Sequence, residues 1–349
     1  MKWLPSMLWN GAKIAACGAI IAAIAMGFVI LTPQGDVDRA DADIFWTGPS
    51  SLQTSKQDLF IDLLDDQGFS EPQPYDWNDN IVYFSHGQTD ESPRQAAARL
   101  QEAFLREGIN DNVFPVAPDP SAMADETATV DEKAYATLAA EEFFSGGMIP
   151  VVDTGDHVAF TSVEVAADGG NIDNLDELQW ILAELPEHVG APSIFNNIRY
   201  VEVFRAEGQS QTQKIAVFGD EKVNLNLFQP GTGGVGRQVD SDDRVPACIG
   251  CERNSRLSGM EDQSDFEMQS FNSPDTVDGV LAFYRRAMLT RGWEMSSSAD
   301  ILGMVSGLQE MTQDREGDAA IFVRGNRIVH IHAYPADRGG THVNIFQGS

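Results

Sequence analysis

Three groups of residues in this chain have types and spacings that could do chemistry: Cys248 and Cys251 in "VPACIGCER", the histidines His330, His332 and His342, and the glycine run 231–236. Two cysteines separated by two residues can form a redox centre, half of a metal site or a pinned loop. A redox pair needs its first thiol at a helix N-terminus, where the dipole lowers the thiol pKa. Here Asp240, Asp242 and Asp243 stand upstream and favour the protonated thiol, while Pro246 and Gly250 mark a loop. Attachment of a c-type haem requires histidine where Glu252 stands. A structural zinc needs four ligands, and the one other cysteine is Cys17. In an oxidising exterior the residues therefore predict a Cys248–Cys251 disulfide closing a tight surface loop, with a redox role, free thiols or a shared metal as the alternatives.

The glycine run, "GTGGVG", fits the dinucleotide pattern and follows a predicted strand, but residues 237–246 lack the apolar periodicity of the helix that must follow. It reads as linker, and no nucleotide or other cofactor is expected. The histidines lie in the stretch "RIVHIHAYPADRGGTHVNIF". If Val329, Ile331, Ala333, Val343 and Ile345 share a core face, then His330, His332 and His342 share the other. That number of imidazoles could hold zinc or copper. The corresponding stretch "KIAVFGDEKVNLNLF" carries none, so the expectation is a solvated face with no metal. Nucleophile elbow, zinc-protease helix, EF-hand and phosphate loop are all missing from the sequence, and no catalytic residue is assigned.

These residues must be positioned by a chain of 349 residues with 53 acidic and 23 basic side chains, a net charge of −30. Such a surface repels polyphosphate and anionic lipid headgroups, which excludes nucleic acid as a partner. Residues 14–31, "IAACGAIIAAIAMGFVIL", form an uncharged run of 18 residues, long enough to span a bilayer as a helix. Lys2 and Lys13 precede it and Asp36, Asp38, Asp41 and Asp43 follow it, so the positive-inside rule keeps the N-terminus in the cytoplasm. A cleaved signal peptide is the rival reading, but the apolar run continues six residues beyond Ala25.

Beyond the span the pattern is α+β and recurs: two related units of antiparallel sheet with packed helices. Residues 1–32 form the cytoplasmic N-terminus and anchor, and residues 33–230 the first extracytoplasmic unit, with an insertion near 110–190. Residues 231–255 form a Gly-rich acidic linker holding the cysteines, and residues 256–349 the second unit. In the first unit a strand from Ile81 leads to a helix started by Ser92-Pro93, with Ala96, Ala97, Leu100, Ala103 and Phe104 on one face and Gly108-Ile109 at its end. In the second, a strand over 265–271 leads to a helix started by Ser273-Pro274 and stopped at Gly292-Trp293. An echo upstream runs through a strand at 44–46 and a helix at 51–67 to Gly68-Phe69. "VFR" at Val203 matches "FVR" at Phe322, and "NLFQ" at Asn226 matches "NIFQ" at Asn344.

The stretch "SPDTVDGVLAFYRRAMLTRGW" resembles a pattern in uncharacterised bacterial envelope proteins, in which Ser-Pro starts a helix carrying Phe-Tyr and ending in Gly-Trp. The resemblance implies an envelope setting and brings no site residues. These features together point to a single-pass protein of the bacterial inner membrane, its bulk periplasmic, that docks on envelope partners such as a pilus or secretion machine. The alternatives are a periplasmic redox protein or enzyme using Cys248 and Cys251, and a metal-binding sensor using the C-terminal histidines.

Overall fold

A hydroxyl side chain starts each of the four described helices in a computed structural model, which describes residues 55–115, 117, 129–167, 170–171, 195–205, 209–219, 245–260, 266–296, 317–336 and 339–348. Ser55 accepts from Asp58 N–H at 3.1 Å to open α1 (Lys56–Asp66). Ser92 and Gln95 form a reciprocal capping box at α2 (Pro93–Arg106), with Pro93 supplying a preset φ in the first turn. Thr129 and Glu132 do the same for α3 (Val130–Phe144). The fourth helix, α4 (Val277–Thr290), is capped by Thr276 and not by the expected Ser273. Ser273 closes a strand, and its hydroxyl accepts from Asp275 N–H at 3.2 Å in the turn before the helix.

Three helices end alike. Gly68, Gly108 and Gly292 take φ values of +69°, +74° and +76°, open to glycine without a Cβ penalty. The next residue then turns its N–H back to a carbonyl five positions earlier: Phe69 to Leu64 at 3.0 Å, Ile109 to Phe104 at 2.9 Å and Trp293 to Met288 at 3.1 Å. Glycine followed by a large apolar residue was the stop signal legible in the sequence, and each apolar residue is buried.

The described strands, all paired antiparallel where register is defined, and the helices divide between two compact units. One holds residues 55–72 and 83–219, the other Gln73–Val82 and residues 245–348. The first unit contains β2 (Asn80–Thr89), whose first residues belong to the other unit, β3 (Ile149–Asp153), β4 (His157–Ala167), β6 (Phe195–Phe204) and β7 (Thr212–Gly219). Their order is β2-β7-β6-β4-β3, with the short β5 (Gly170–Asn171) paired to β4. Helices α1 and α2 bury Phe60, Leu63, Leu64, Leu100 and Phe104 against Phe160, Val201, Val203 and Phe218. Edge-on ring pairs at 5.8 Å (Phe60–Phe218) and 5.7 Å (Phe104–Phe160) fix that layer.

The second unit orders β1 (Gln73–Trp77), β8 (Glu252–Gly259), β9 (Glu267–Ser273), β13 (Thr341–Gly348), β12 (Arg327–Pro335), β11 (Asp318–Arg324) and β10 (Glu294–Met295) as β10-β11-β12-β13-β9-β8-β1. Strand β1 enters from far upstream and pairs Trp77 with Leu257. Asn78 and Asp79 both take positive φ, 50° and 63°, in the turn that follows it, the primed geometry that matches strand twist. Helix α4 covers one face, where Val280, Leu281, Tyr284 and Met288 meet Phe271, Phe322, Val329, Ile331 and Ile345.

In each unit a strand leads into a hydroxyl-capped helix and the last strand returns beside that strand: β7 beside β2, β13 beside β9. By that order β4, β6 and β7 correspond to β11, β12 and β13, whereas the "VFR" match sets the end of β6 against the end of β11. The other match, Asn226 to Gln229, lies outside the described residues, as do residues 14–31 and the strand at 44–46. Among the described residues no helix is long and apolar enough to cross a membrane.

Candidate functional site

The cysteines form a disulfide, with Cα atoms 5.3 Å apart. Pro246 and Gly250 turn the backbone so that Cys251 N–H donates to Cys248 O at 3.1 Å, and Gly250 takes φ +72°. The loop is not laid over the surface as the sequence suggests. Val245 is 2 % exposed and Cys248 6 %, both in the core beneath α4. Tyr284, fully buried, lies against the Cys248 backbone; burial holds its phenol well above the ordinary 10, opposed by that backbone N–H. Cys251 is only partly buried, and Ile249 between the cysteines is 84 % exposed. Cys248 thus lies within the core and Cys251 packs at its edge, less buried, with an apolar side chain at the tip of the corner.

The histidines do share a face. The register sets Ile331 opposite Ile345 and Ala333 opposite Val343, and alternation turns His330, His332 and His342 away from α4. That face is not solvated: His330 is 5 % exposed and His332 4 %. The rings form a ladder, Phe346–His330 at 5.7 Å, His330–His332 at 6.3 Å, His332–Tyr334 at 5.4 Å and Tyr334–His342 at 5.4 Å. His342 sits across from Tyr334 and His330 across from Phe346, so the first and last histidines stand four residues apart along the strands. Among the described residues no group of three or more histidine, cysteine or acidic side chains converges as a metal set.

Among the described residues neither ring nitrogen of His330 has a hydrogen-bond partner. Burial first, and the neighbouring His332 second, push its pKa down to about 4. His332, packed against Gly317, is also lowered by burial, with Asp318 opposing. Because the folded pKa of His330 lies below the unfolded 6.5, its neutral ring contributes stability that is complete above pH 6.5 and lost as the pH falls through 4. The expected loss is about 3 kcal/mol between those limits. Urea midpoints from pH 7 to pH 4 should fall for the natural chain and flatten in His330→Phe; equal slopes in both would contradict this.

Several polar groups are placed by tertiary structure with no signature in the sequence. Arg199, fully buried on β6, donates from Nε to Gln57 Oε1 at 2.7 Å, from Nη1 to Gly146 O at 2.6 Å and from Nη2 to Glu164 Oε2 at 3.1 Å. Burial lowers its pKa to about 10 against the opposing charge of Glu164. Lys214 is 2 % exposed, donates to Gln67 O at the end of α1 and stands 4.7 Å over the Phe69 ring. Its pKa is lowered to about 8, by burial and then by Arg99. Both cations saturate backbone carbonyls near helix ends and act as ties. On the other face of β6, Tyr200 OH donates to Glu202 Oε2 at 3.1 Å, and His157 Nε2 lies 3.1 Å from Glu202 Oε1. Ser70 Oγ and His86 Nδ1 stand 2.8 Å apart on an exposed flank, with His86 N–H also donating to Ser70 Oγ at 3.2 Å. No family model, curated protein or solved structure matches the chain.

Proposed function

We propose that this chain is a single-pass protein of the bacterial inner membrane whose two α+β units, residues 33–349, lie outside the cytoplasm and dock on other envelope components. The observation that carries the reading is the disulfide corner. A bond between Cys248 and Cys251 belongs to an oxidising compartment, and the charge order around residues 14–31 directs the bulk of the chain to one. The docking element is Ile249. An isoleucine 84 % exposed on a loop fixed by a disulfide and seated on a core tyrosine is a preorganised apolar anchor, which reduces the entropy cost of association. The shared course of the two units, strand to capped helix to a last strand beside the strand that leads into the helix, supports an internal duplication.

The test is amine cross-linking in intact cells, followed by purification of the membrane-extracted chain through a C-terminal tag and mass spectrometry. A stoichiometric envelope partner is expected with the natural sequence and is lost with Ile249→Asp. Recovery of the chain alone, or of the same partners with Ile249→Asp, would contradict the docking reading.

A further inference from the structure

The two sulfurs of the corner are not equivalent, and we infer that thiol–disulfide exchange at this bond runs through Cys251, with Cys248 as the leaving and resolving sulfur. Cys248 is 6 % exposed and packed with Val245 and Tyr284, so an external thiolate has no line of approach to it. Cys251 is partly exposed where the chain enters β8. Gly250, which precedes it, presents no side chain, and the nearest atom its missing Cβ would meet is Pro274 Cγ at 3.5 Å. Cys251 packs against the edge of the core and is less buried than Cys248, and Ile249 beside it is exposed. This polarity is opposite to that of a pair at a helix N-terminus, where the first cysteine is the nucleophile.

The ligand class is a thiol, either a small monothiol or a cysteine of a partner protein. Its thiolate attacks Cys251 Sγ and forms a mixed disulfide there. The Cys248–Cys251 bond breaks, and its electron pair leaves on Cys248 Sγ, which takes a proton from solvent. The reverse attack by Cys248 expels the incoming thiol and restores the internal bond. A thiolate released among apolar side chains is a poor leaving group, so the exchange is slow as well as directional. The inference requires the pair to be oxidised and does not depend on Ile249 having a partner.

The experiment uses the full natural chain in detergent with reduced glutathione as the probe, acid quenching, alkylation and peptide mapping. In the folded chain the glutathione adduct is expected on Cys251 over Cys248 by at least about tenfold, at a rate about a hundredfold below that of the chain in guanidinium. In guanidinium the two adducts should be equal within a few-fold. An adduct mainly on Cys248, an even distribution in the folded chain, or no adduct in the folded chain while the unfolded one reacts would each overturn the assignment. Recovery of the same cross-linked partners with Ile249→Asp, or of the chain alone, with the Cys251 preference intact would leave this inference standing by itself.

Discussion

Replacing Cys248 and Cys251 together with serine should lower the stability of the second unit by about 4 kcal/mol. Opening a four-residue ring releases about 2 kcal/mol of unfolded-state constraint in the chain-entropy treatment. A serine hydroxyl at position 248 adds about 1–3 kcal/mol, because that side chain is 6 % exposed among Val245, Tyr284 and the apolar face of α4. The paired alanine variant separates the two contributions: it lacks the hydroxyl and should lose about half as much. Urea unfolding of the three chains under non-reducing conditions checks this. Equal losses in the serine and alanine chains would mean that position 248 rests on the surface after all, and identical midpoints in all three would contradict both contributions.

Arg199→Met should cost the first unit about 3–5 kcal/mol, the range for removing one member of a buried ion pair. The guanidinium links α1 through Gln57, the turn after α3 through Gly146 and β4 through Glu164. Its loss leaves the Glu164 carboxylate and the Gly146 carbonyl without their cation. Arg199→Lys should recover only part of the stability, since donors on a single nitrogen cannot span three acceptors that the guanidinium reaches from Nε, Nη1 and Nη2. Thermal unfolding of both variants followed by circular dichroism is the measurement, and a lysine variant as stable as the natural chain would show that charge alone suffices.

Local signals made much of this fold legible. Ser92-Pro93 before an apolar stripe, and glycine before Phe69, Ile109 or Trp293, are determined by nearest neighbours in the chain, and the structure places α2 and three helix stops where those residues stand. Alternation in β12 and β13 likewise separated the histidines from the core set. The start of α4 was displaced because Ser273 can cap either a helix or a turn, and the register of β9 decides between them. What could not be read was long-range. Strand β1, about 180 residues upstream of its partner β8, completes the second unit, and nothing in "QPYDW" names Leu257 as its neighbour. A fragment confined to 256–349 therefore lacks both β1 and the Val245–Cys251 corner. The burial of His330 and of Cys248 was invisible for the same reason: composition places a residue on a face, but tertiary packing decides whether that face is wet. Arg199 had no motif at all, since its three acceptors come from three separate stretches of chain.

A bond between Cys248 and Cys251 persists only where thiols are not held reduced, so whether residues 33–349 lie outside the cytoplasm decides the proposed function. The direct measurement is a pair of reporters fused after Ser349: alkaline phosphatase, active only outside the cytoplasm, and β-galactosidase, active only inside it. An active phosphatase with a silent galactosidase is the expected result. An active galactosidase with a silent phosphatase would place both units in the cytoplasm and contradict the proposal.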